Sequence, residues 1–417
     1  MCVVRVCSAI MGTGKSSAAI TFLNEHPEQK CIYITPYLEE AARVRKGCPG
    51  RKFVEPNNKL SEYNFKKTTH TAALIKKGCN ITTTHQAFKS YTPEMLDDIR
   101  EQGYVLIIDE NVDVLEKFEC HPDDLQIAID AGYIKYENNV YSIVNDKYHG
   151  TALSELFRFL KSRELIRMDT GEGDNLYYWA LPPDLITAFK DVYILTYLFE
   201  GQSLHHFLKI YNIPYEYIGV KKSEDGVYSF SDTEFYVPEY VKNISNMIHV
   251  LDNERMNEIG NGKFALSMNW FKKNGRQIEQ LQKNIANYFN NIWRDVPRDK
   301  KLWGCYKNEH TKIQGKGYTR NFLSFNTKAT NNYRDKYCLV YAVNIFMNIA
   351  EESFYKAHGT TIDTDAYATS VMVQWIWRSA IRDGKEIYIY IPSKRMRMLL
   401  NKWIESLGSE GGETIGL

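Results

Sequence analysis

The sequence lacks several features that would define its class directly. Its eight cysteines are scattered through 417 residues without a C-x-x-C pair, which argues against a zinc knuckle and favours free thiols in a reducing cytosol. Its 52 basic and 51 acidic residues leave a net charge of +1. No global field therefore attracts polyanions, and any such binding must use local basic clusters. These clusters are residues 43–52, 272–276 and 394–397, and each is by default a solvated face.

Long apolar stretches are also missing. The nearest candidate, CLVYAVNIFMNIA at residues 338–350, is interrupted by two asparagines. It is shorter than the roughly 20 residues that cross a bilayer. A cleaved N-terminal signal would remove the glycine-rich turn described next. The sequence therefore predicts a cytoplasmic protein with no membrane partner.

The strongest motif, CVVRVCSAIMGTGKSS, starts at residue 2. Residues 3–6 predict a buried strand and residues 17–23 a helix. A strand, a glycine-rich turn and a helix N-terminus form an anion site, because backbone N–H groups and the helix dipole point to one place. Lys15 can reach the β- and γ-phosphates of ATP, and Ser16 can ligate Mg²⁺. The predicted nucleotide-binding residues are Ala9, Gly12, Thr13, Gly14, Lys15, Ser16 and Ser17.

Two acids end another apolar strand, YVLIIDEN at residues 104–111. Ligands of open α/β sheets bind at the carboxyl ends of the strands, so these acids and the glycine-rich turn can face one crevice. Asp109 is predicted to hold Mg²⁺ together with Ser16. Glu110 is predicted to orient and deprotonate the attacking water.

Apolar strands alternate with helices in the first hundred-odd residues, which predicts a parallel sheet covered on both faces. Residues 116–190 depart from this pattern. They contain two predicted hairpins, 133–144 and 165–182, with a helix between them. In the second half, residues 320–326 are predicted as a strand and residues 364–381 as a helix.

The insertion combines basic and aromatic side chains. Such a combination suits a stacking platform for bases or a wedge at a strand junction. It is at least equally consistent with aromatics that form a small core of the insertion itself. The residues concerned are Phe157, Arg158, Phe159, Lys161, Arg163, Arg167, Tyr177, Tyr178 and Trp179.

The predicted helix at 364–381 carries Gln374, Arg378 and Arg382 at spacings of i, i+4 and i+8. On a continuous helix this spacing places all three on one face. The helix is otherwise apolar and aromatic, and arginines in such surroundings usually have an anionic partner. A bound triphosphate would provide that anion.

In this order, the motifs resemble those of a superfamily 2 helicase of the compact kind found in tailed-phage genomes. The resemblance covers nearly the whole chain, from motif I at residues 9–16 to motif VI at residues 374–382. Residues 107–111 (IIDEN) are similar to motif II. The less specific matches are 32–36 (motif Ia), 81–88 (a nucleic-acid-contacting motif), 194–198 (motif III) and 322–335 (motif V).

This resemblance implies an α/β fold of two tandem RecA-like P-loop domains with the nucleotide cleft between them. Domain 1 is expected at residues 1–200, with an α+β subdomain inserted at 116–190, and domain 2 at 201–417. The implied catalytic residues are Lys15, Glu110, Gln374, Arg378 and Arg382, with Arg378 as the arginine finger. The implied nucleic-acid contacts are Thr84, His85 and Thr327.

The chain departs from the usual pattern of these helicases at three positions. Val112 occupies the fourth, usually polar, position of motif II, and Tyr197 replaces the alanine of motif III. Arg382 follows Arg378 by four residues instead of three. All three departures concern the coupling between the two domains, and the last affects the assignment of Arg382 more than that of Arg378.

The predicted function is an ATP-dependent helicase or translocase that acts on single-stranded or branched DNA in phage replication or recombination. Its expected partners are DNA in preference to RNA and phage replication proteins, in the host cytoplasm if the chain is phage-encoded. Only eight residues precede Ala9, so the glutamine motif of DEAD-box RNA helicases is not expected. Two alternatives remain: a phage DNA-packaging motor, with Asp363 and Asp365 in a nuclease, and a non-catalytic DNA-bound ATP switch.

Overall fold

The computed structural model describes residues 2–150, 152–161, 164–169, 175–327 and 332–408. The chain divides into two compact units. The first unit comprises Met1–Ala9, Gly14–Phe235 and Asn348–Ile362, and the second comprises Ile10–Thr13, Tyr236–Met347 and Asp363–Leu417. Within the described ranges, no helix is long and apolar enough to cross a membrane.

The strands, in chain order, are β1 (Val3–Ser8), β2 (Cys31–Thr35), β3 (Ile81–Thr84), β4 (Val105–Asp109), β5 (Leu115–Phe118), β6 (Ile134–Glu137), β7 (Val140–Ile143), β8 (Glu164–Asp169), β9 (Asn175–Ala180), β10 (Asp191–Thr196), β11 (Tyr215–Tyr217), β12 (Gly219–Lys222), β13 (Tyr228–Ser231), β14 (Ile248–Val250), β15 (Lys301–Gly304), β16 (Cys338–Tyr341) and β17 (Ile387–Tyr390).

The α-helices are α1 (Lys15–Glu25), α2 (Leu38–Gly47), α3 (Lys67–Lys76), α4 (His85–Phe88), α5 (Pro93–Gln102), α6 (Pro122–Asp130), α7 (Ser154–Leu160), α8 (Asp184–Thr187), α9 (Ser203–Ile210), α10 (Glu239–Lys242), α11 (Glu254–Asn257), α12 (Met268–Lys273), α13 (Gly275–Asn287), α14 (His310–Ile313), α15 (Ile349–Ala357), α16 (Thr364–Ile376) and α17 (Lys394–Gly408). Short 3₁₀ segments lie at Pro49–Arg51, Ser61–Tyr63, Phe199–Gly201, Ile244–Asn246, Glu258–Gly260, Arg298–Lys300, Lys307–Glu309 and Ala380–Asp383, and a π-helical turn at Tyr288–Ile292.

A six-stranded parallel sheet forms the centre of the first unit, in the order β11-β1-β10-β4-β2-β3. Every residue of β2 and β4 is buried, as expected for strands covered on both faces. Side chains of α1, including Ala18, Ala19 and Leu23, pack against this sheet. The predicted parallel α/β architecture is therefore confirmed.

The insertion forms its own antiparallel sheet in the order β5-β9-β8-β7-β6. Asn138 and Asn139 turn the first hairpin with φ of 52° and 66°, the left-handed conformation that a two-residue type I′ turn requires. The predicted turn of the second hairpin, residues 171–174, lies outside the described residues. The predicted α+β insertion is confirmed.

The sequence left open whether the aromatic side chains of the insertion stack on bases or form a small core of the insertion itself, and the structure favours the core. Phe157 and Tyr177 belong to a hydrophobic core with Tyr141 and Leu165. Tyr178 and Trp179 on β9 are almost fully buried. These rings form a packed interior and are not available to stack on bases. Arg163 lies outside the described residues.

The second unit contains a four-stranded parallel sheet in the order β14-β17-β16-β15. The strand predicted at residues 320–326 is wrong, since this segment forms a single bridge between Phe322 and Trp303. Strand β16 takes the central place instead, at the start of the apolar run 338–350. A buried central strand shows no alternation, so its pattern did not distinguish it from other apolar segments.

Residues 348–362, which include α15, pack with the first unit although they lie far along the chain. The Asn348 amide donates a hydrogen bond of 2.8 Å to the Tyr178 hydroxyl on β9. A second hydrogen bond of 3.2 Å joins His206 Nδ1 on α9 to Thr360 Oγ1. This segment therefore contacts both the insertion and a helix beside the central sheet.

Candidate active site

The glycine-rich turn connects β1 to α1 as the sequence predicted. Gly12 and Gly14 have φ of +90° and +87°, which side chains with a Cβ adopt only at a cost. The Thr13 hydroxyl donates a 2.8 Å hydrogen bond to the Ile10 carbonyl. The Ala9 N–H donates to the Thr196 carbonyl at 3.0 Å. One hydrogen bond within the turn and one from its start to β10 thus fix its shape.

Lys15 is the first residue of α1. Its ammonium group donates to the Ala9 carbonyl at the other end of the same turn. No side chain caps this helix N-terminus, and no acid lies in its first turn. The local field therefore favours an anion, because the N-terminal end of the helix dipole and the Lys15 ammonium are both positive.

Ser16, Asp109 and Tyr33 form a hydrogen-bonded cluster next to this turn. The Tyr33 hydroxyl donates to Asp109 Oδ2 at 2.8 Å, and the nearby Ser16 hydroxyl lowers the pKa of both groups. Burial raises the pKa of Asp109, and the nearby Glu110 acts in the same direction, whereas the bonds from Tyr33 and Ser16 lower it. A serine hydroxyl beside a buried carboxylate matches the oxygen ligands that Mg²⁺ prefers.

Glu110 follows Asp109 with a φ of +65°. A non-glycine residue in this region is uncommon, and such strain is frequent at functional sites. Its N–H donates to the Leu195 carbonyl at 3.0 Å, which extends the pairing of β4 and β10 by one residue. The backbone is therefore locked while the side chain stays partly exposed.

Thr84 and His85 lie at the carboxyl end of β3. The Thr84 hydroxyl caps α4 by accepting from the Ala87 N–H at 3.3 Å. His85 is buried, and its Nε2 lies 2.9 Å from the Asp109 carbonyl oxygen. The structure thus brings His85 directly to the backbone of β4 at Asp109.

The prediction of a continuous helix at 364–381 is wrong. Helix α16 ends at Ile376, and the Ser379 hydroxyl donates to the Ile376 carbonyl at 2.6 Å. The Ala380 N–H then donates to the Lys336 carbonyl at 2.8 Å instead of continuing the helix. Gln374 is in the last helical turn, the buried Arg378 follows the helix, and Arg382 lies in a 3₁₀ segment. The three side chains therefore do not share one helical face.

Thr327, the third predicted nucleic-acid contact, is partly exposed, and its N–H donates to the Ser324 carbonyl at 3.0 Å. The next residues of the segment predicted as motif V, 328–331, lie outside the described residues.

Sequence reasoning missed two aromatic residues at this site. One is Tyr33, whose hydroxyl bonds Asp109; the signal was a tyrosine in an otherwise aliphatic buried strand. The other is Tyr228 on β13. Its Cδ1 would lie 2.2 Å from a Cβ built on Gly14, so its ring packs directly against the phosphate-binding turn. No sequence signal connects Tyr228 with Gly14, which are more than 200 residues apart.

Together, the fold and the turn define a class of protein: tandem RecA-like α/β domains with a P-loop turn in the first. The structure is similar to that of Xpd4 from S. tokodaii, with a TM-score of 0.50 over 96% of this chain and 94% of that chain, at 11% identity. At that identity the likeness concerns the fold alone. It confirms the predicted fold class.

Sequence comparison is more specific. Residues 242–404 match the family model described as the YonV C-terminal Rossmann-like domain. The chain is 36% identical over 413 residues to the SPbeta prophage-derived uncharacterized protein YonV of Bacillus subtilis (strain 168), covering 97% of this chain and 99% of that protein. The chain therefore belongs to the YonV family.

Proposed function

We propose that the protein is an ATP-dependent helicase or translocase that moves on single-stranded DNA. One observation carries this proposal: the Ser16–Asp109–Tyr33 cluster lies beside the Lys15 turn, with Glu110 as the next residue. Such an arrangement suits hydrolysis of a nucleoside triphosphate. The prophage origin of the B. subtilis relative supports a role in phage replication or recombination.

In the proposed reaction, Lys15 and the N–H groups at the start of α1 bind the β- and γ-phosphates. Ser16 and Asp109 would hold Mg²⁺, which neutralises phosphate charge when bound. Glu110 accepts a proton from water while the water oxygen forms a bond to the γ-phosphorus. The bond between the γ-phosphorus and the β–γ bridging oxygen breaks, and ADP leaves with that oxygen. Arg378 is proposed to stabilise the charge on the transferring group.

The packaging-motor alternative needs a cluster of nuclease acids in the second unit. The Asp363 carboxylate instead caps α16, accepting from the N–H groups of Asp365 and Ala366 at 2.8 and 3.0 Å. Asp365 forms an ion pair of 2.6 Å with Arg395. In the parts of the chain that the structure describes, no three His, Cys, Asp or Glu residues are grouped as metal ligands. These contacts favour the helicase proposal.

ATP hydrolysis, measured with no nucleic acid, single-stranded DNA, duplex DNA or RNA, tests the proposal. We expect the largest stimulation with single-stranded DNA. Lys15→Ala should abolish turnover, and Glu110→Gln should bind ATP without turning it over. Near-normal turnover by Glu110→Gln would contradict the assignment of the base. Hydrolysis that no nucleic acid stimulates would contradict the motor function.

A further inference from the structure

A groove of about 1060 Å³ lies in the second unit. Its walls come from α11, α12, α13 as far as Asn284, and the loop between α11 and α12. This volume is at the upper end of the ~300–1,000 Å³ range of sites for drug-sized molecules. Its size therefore admits a short segment of a polymer, and its charge and its exposed ring indicate the nature of that occupant.

The charge of the groove favours an anion. Arg255, Lys273 and Arg276 line it, with Glu258 as an opposing acid, and all four side chains are exposed. Among the described residues, none of the three cations forms an ion pair with a carboxylate. By contrast, Lys312 and Arg395 of the same unit are paired with acids. The N-terminus of α13, which has no side-chain cap, lies in the same wall and adds its dipole to this field.

An aromatic ring lies at the edge of this basic surface. Phe264 is 59% exposed, although phenylalanine is usually buried. Its ring lies against Phe346, with centroids 5.5 Å apart, and the Lys263 ammonium lies 5.2 Å from its centroid. Among the other lining residues, Trp270 Nε1 donates to Gln277 Oε1 at 2.9 Å. The Gln280 amide donates to Asn284 Oδ1 at 2.9 Å.

We propose that this groove binds single-stranded nucleic acid, with backbone phosphates on Arg255, Lys273 and Arg276 and one base stacked on Phe264. The site rests on the proposed function and extends it by naming where the second unit holds the strand. Cations supply affinity that does not depend on sequence, and an exposed ring accepts any base. A duplex fits less well, because its bases are already stacked on one another. The groove also gives a role to Lys273 and Arg276, two of the three basic residues in the 272–276 cluster.

Fluorescence anisotropy of a labelled oligothymidylate, measured with the full chain over a salt series and without nucleotide, tests this site. Combined Arg255→Ala, Lys273→Ala and Arg276→Ala should weaken binding and lower the slope of log K against log salt by about 2, at ~0.7 per phosphate contact. Phe264→Ala should weaken binding by roughly 5- to 150-fold with little change in slope.

Lys272 and Lys283 provide matched controls, because they are charged residues of α12 and α13 that do not line the groove. Their combined alanine variant should retain nearly full affinity. Equal losses in the groove and control variants, or no loss in either, would overturn the proposal. It would also be overturned if the groove substitutions abolished binding of labelled polyglutamate but left oligothymidylate binding unchanged, because the occupant would then be an acidic peptide.

The assay separates this inference from the proposed function. Lys15→Ala should bind the oligothymidylate as the unmodified chain does, since no nucleotide is present. If the groove variants behave as expected but the protein does not hydrolyse ATP, the groove assignment stands and the motor function fails. If hydrolysis is stimulated by single-stranded DNA and the groove variants bind normally, the motor function stands and the groove assignment fails.

Discussion

At the residue scale, Arg378 is the sharpest test of the proposed chemistry. It is 5% exposed and follows the end of α16. Arg378→Ala should leave ATP binding largely intact and lower turnover by about 10³-fold or more, the range measured for arginine fingers. A fluorescent ATP analogue measures the first quantity, and single-turnover hydrolysis measures the second. Arg382→Ala is the comparison, and a pair in which only Arg382 is essential would reverse the assignment.

Ionised Asp109, the form that its proposed role as a Mg²⁺ ligand requires, should destabilise the folded protein. Burial raises its pKa above the ordinary 3.8, so protonated Asp109 favours folding. That stabilisation is fully present below the ordinary pKa and is lost as the pH rises through the raised value, at about 1.4 kcal/mol per pKa unit. Asp109→Asn, which cannot ionise, should therefore have a higher melting temperature than the unmodified chain at pH 7 without Mg²⁺, and a similar one at acid pH.

Tyr33→Phe is the complementary variant. Removing the hydroxyl takes away a hydrogen bond that lowers the pKa of Asp109, so the acid limb of ATP hydrolysis should move to higher pH. A pH profile of turnover with saturating Mg²⁺ measures this shift. An unchanged profile would show that the bond seen in the structure does not act on the working carboxylate.

Gly14 combines backbone strain with a close neighbour. Gly14→Ala should cost about 1–2 kcal/mol for its left-handed backbone and about 1–3 kcal/mol more for contact with the Tyr228 ring. Gly103→Ala is the matched control, because Gly103 has φ of +64° but a Cβ at this position would have no neighbour within 4 Å. Urea denaturation should rank Gly14→Ala as the more damaging, and adding Tyr228→Ala should recover part of the difference. Equal costs at both glycines would contradict the packing of Tyr228.

At the scale of elements, sequence patterns predicted the strands and turns whose conformation depends on neighbouring residues. Residues 105–108 lie in strand β4 because their continuous apolar side chains require burial on both faces, and all of them are buried. Asn138 and Asn139 accept the left-handed turn that their hairpin needs. Helix α16 ended early for a different reason. The Ala380 N–H donates to the Lys336 carbonyl, 44 positions earlier in the chain. Helical periodicity within residues 364–381 does not predict a hydrogen bond to so distant a residue.

Helix α15 provides a pH-dependent test at this scale. Burial raises the pKa of Glu351 to about 7, and Asp113 adds to the rise; Tyr178 also faces this carboxyl group. Stability contributed by protonated Glu351 is fully present below its ordinary pKa of 4.5 and is lost as the pH rises through about 7. Hydrogen exchange of residues 348–362 should therefore be faster at pH 8 than at pH 6, beyond the intrinsic effect of pH.

Glu351→Gln should remove this excess pH dependence. Glu352→Gln on the exposed side of the same helix is the control and should retain it. Excess exchange that persists in Glu351→Gln would assign the effect to another group.

At the scale of the whole molecule, the alternation of strands and helices predicted the class of fold, and spacing predicted the turn and the two acids. The association of residues 348–362 with the first unit could not be predicted. It depends on contacts such as Asn348 with Tyr178, 170 positions apart, which follow from the tertiary fold alone. The same holds for Tyr228 against Gly14. Tertiary contacts of this kind leave no periodic trace in the sequence.

The charge of the insertion argues against a direct role on DNA. Residues 116–179 contain 7 basic and 12 acidic residues, a net charge of −5 in a chain of net charge +1. Its aromatic residues Phe157, Tyr177 and Trp179 are buried. A surface that binds a single strand needs the opposite in both respects, namely cations and accessible rings. The insertion therefore fits a partner-binding or stabilising role better than a wedge.

Removing residues 116–179 tests this argument. Leu115 and Ala180 are directly paired across β5 and β9, so a short glycine-serine linker can join them. The truncated chain would have a net charge of +6. It should bind oligothymidylate at least as tightly as the full chain at low salt, with single-strand-stimulated hydrolysis retained, because repulsion from the insertion is removed. Weaker binding by a folded truncated chain would instead show that the insertion contacts the strand.

The deletion also removes Tyr178, the partner of Asn348, so loss of folding must be separated from loss of binding. Full-length protein with Glu119→Gln, Asp130→Asn and Glu137→Gln serves this purpose, because these exposed acids can be neutralised without disturbing the core of the insertion. If repulsion is the only effect of the insertion on DNA, this variant should bind oligothymidylate more tightly at low salt and equally at high salt. Weaker binding at every salt concentration would place the strand on the insertion after all.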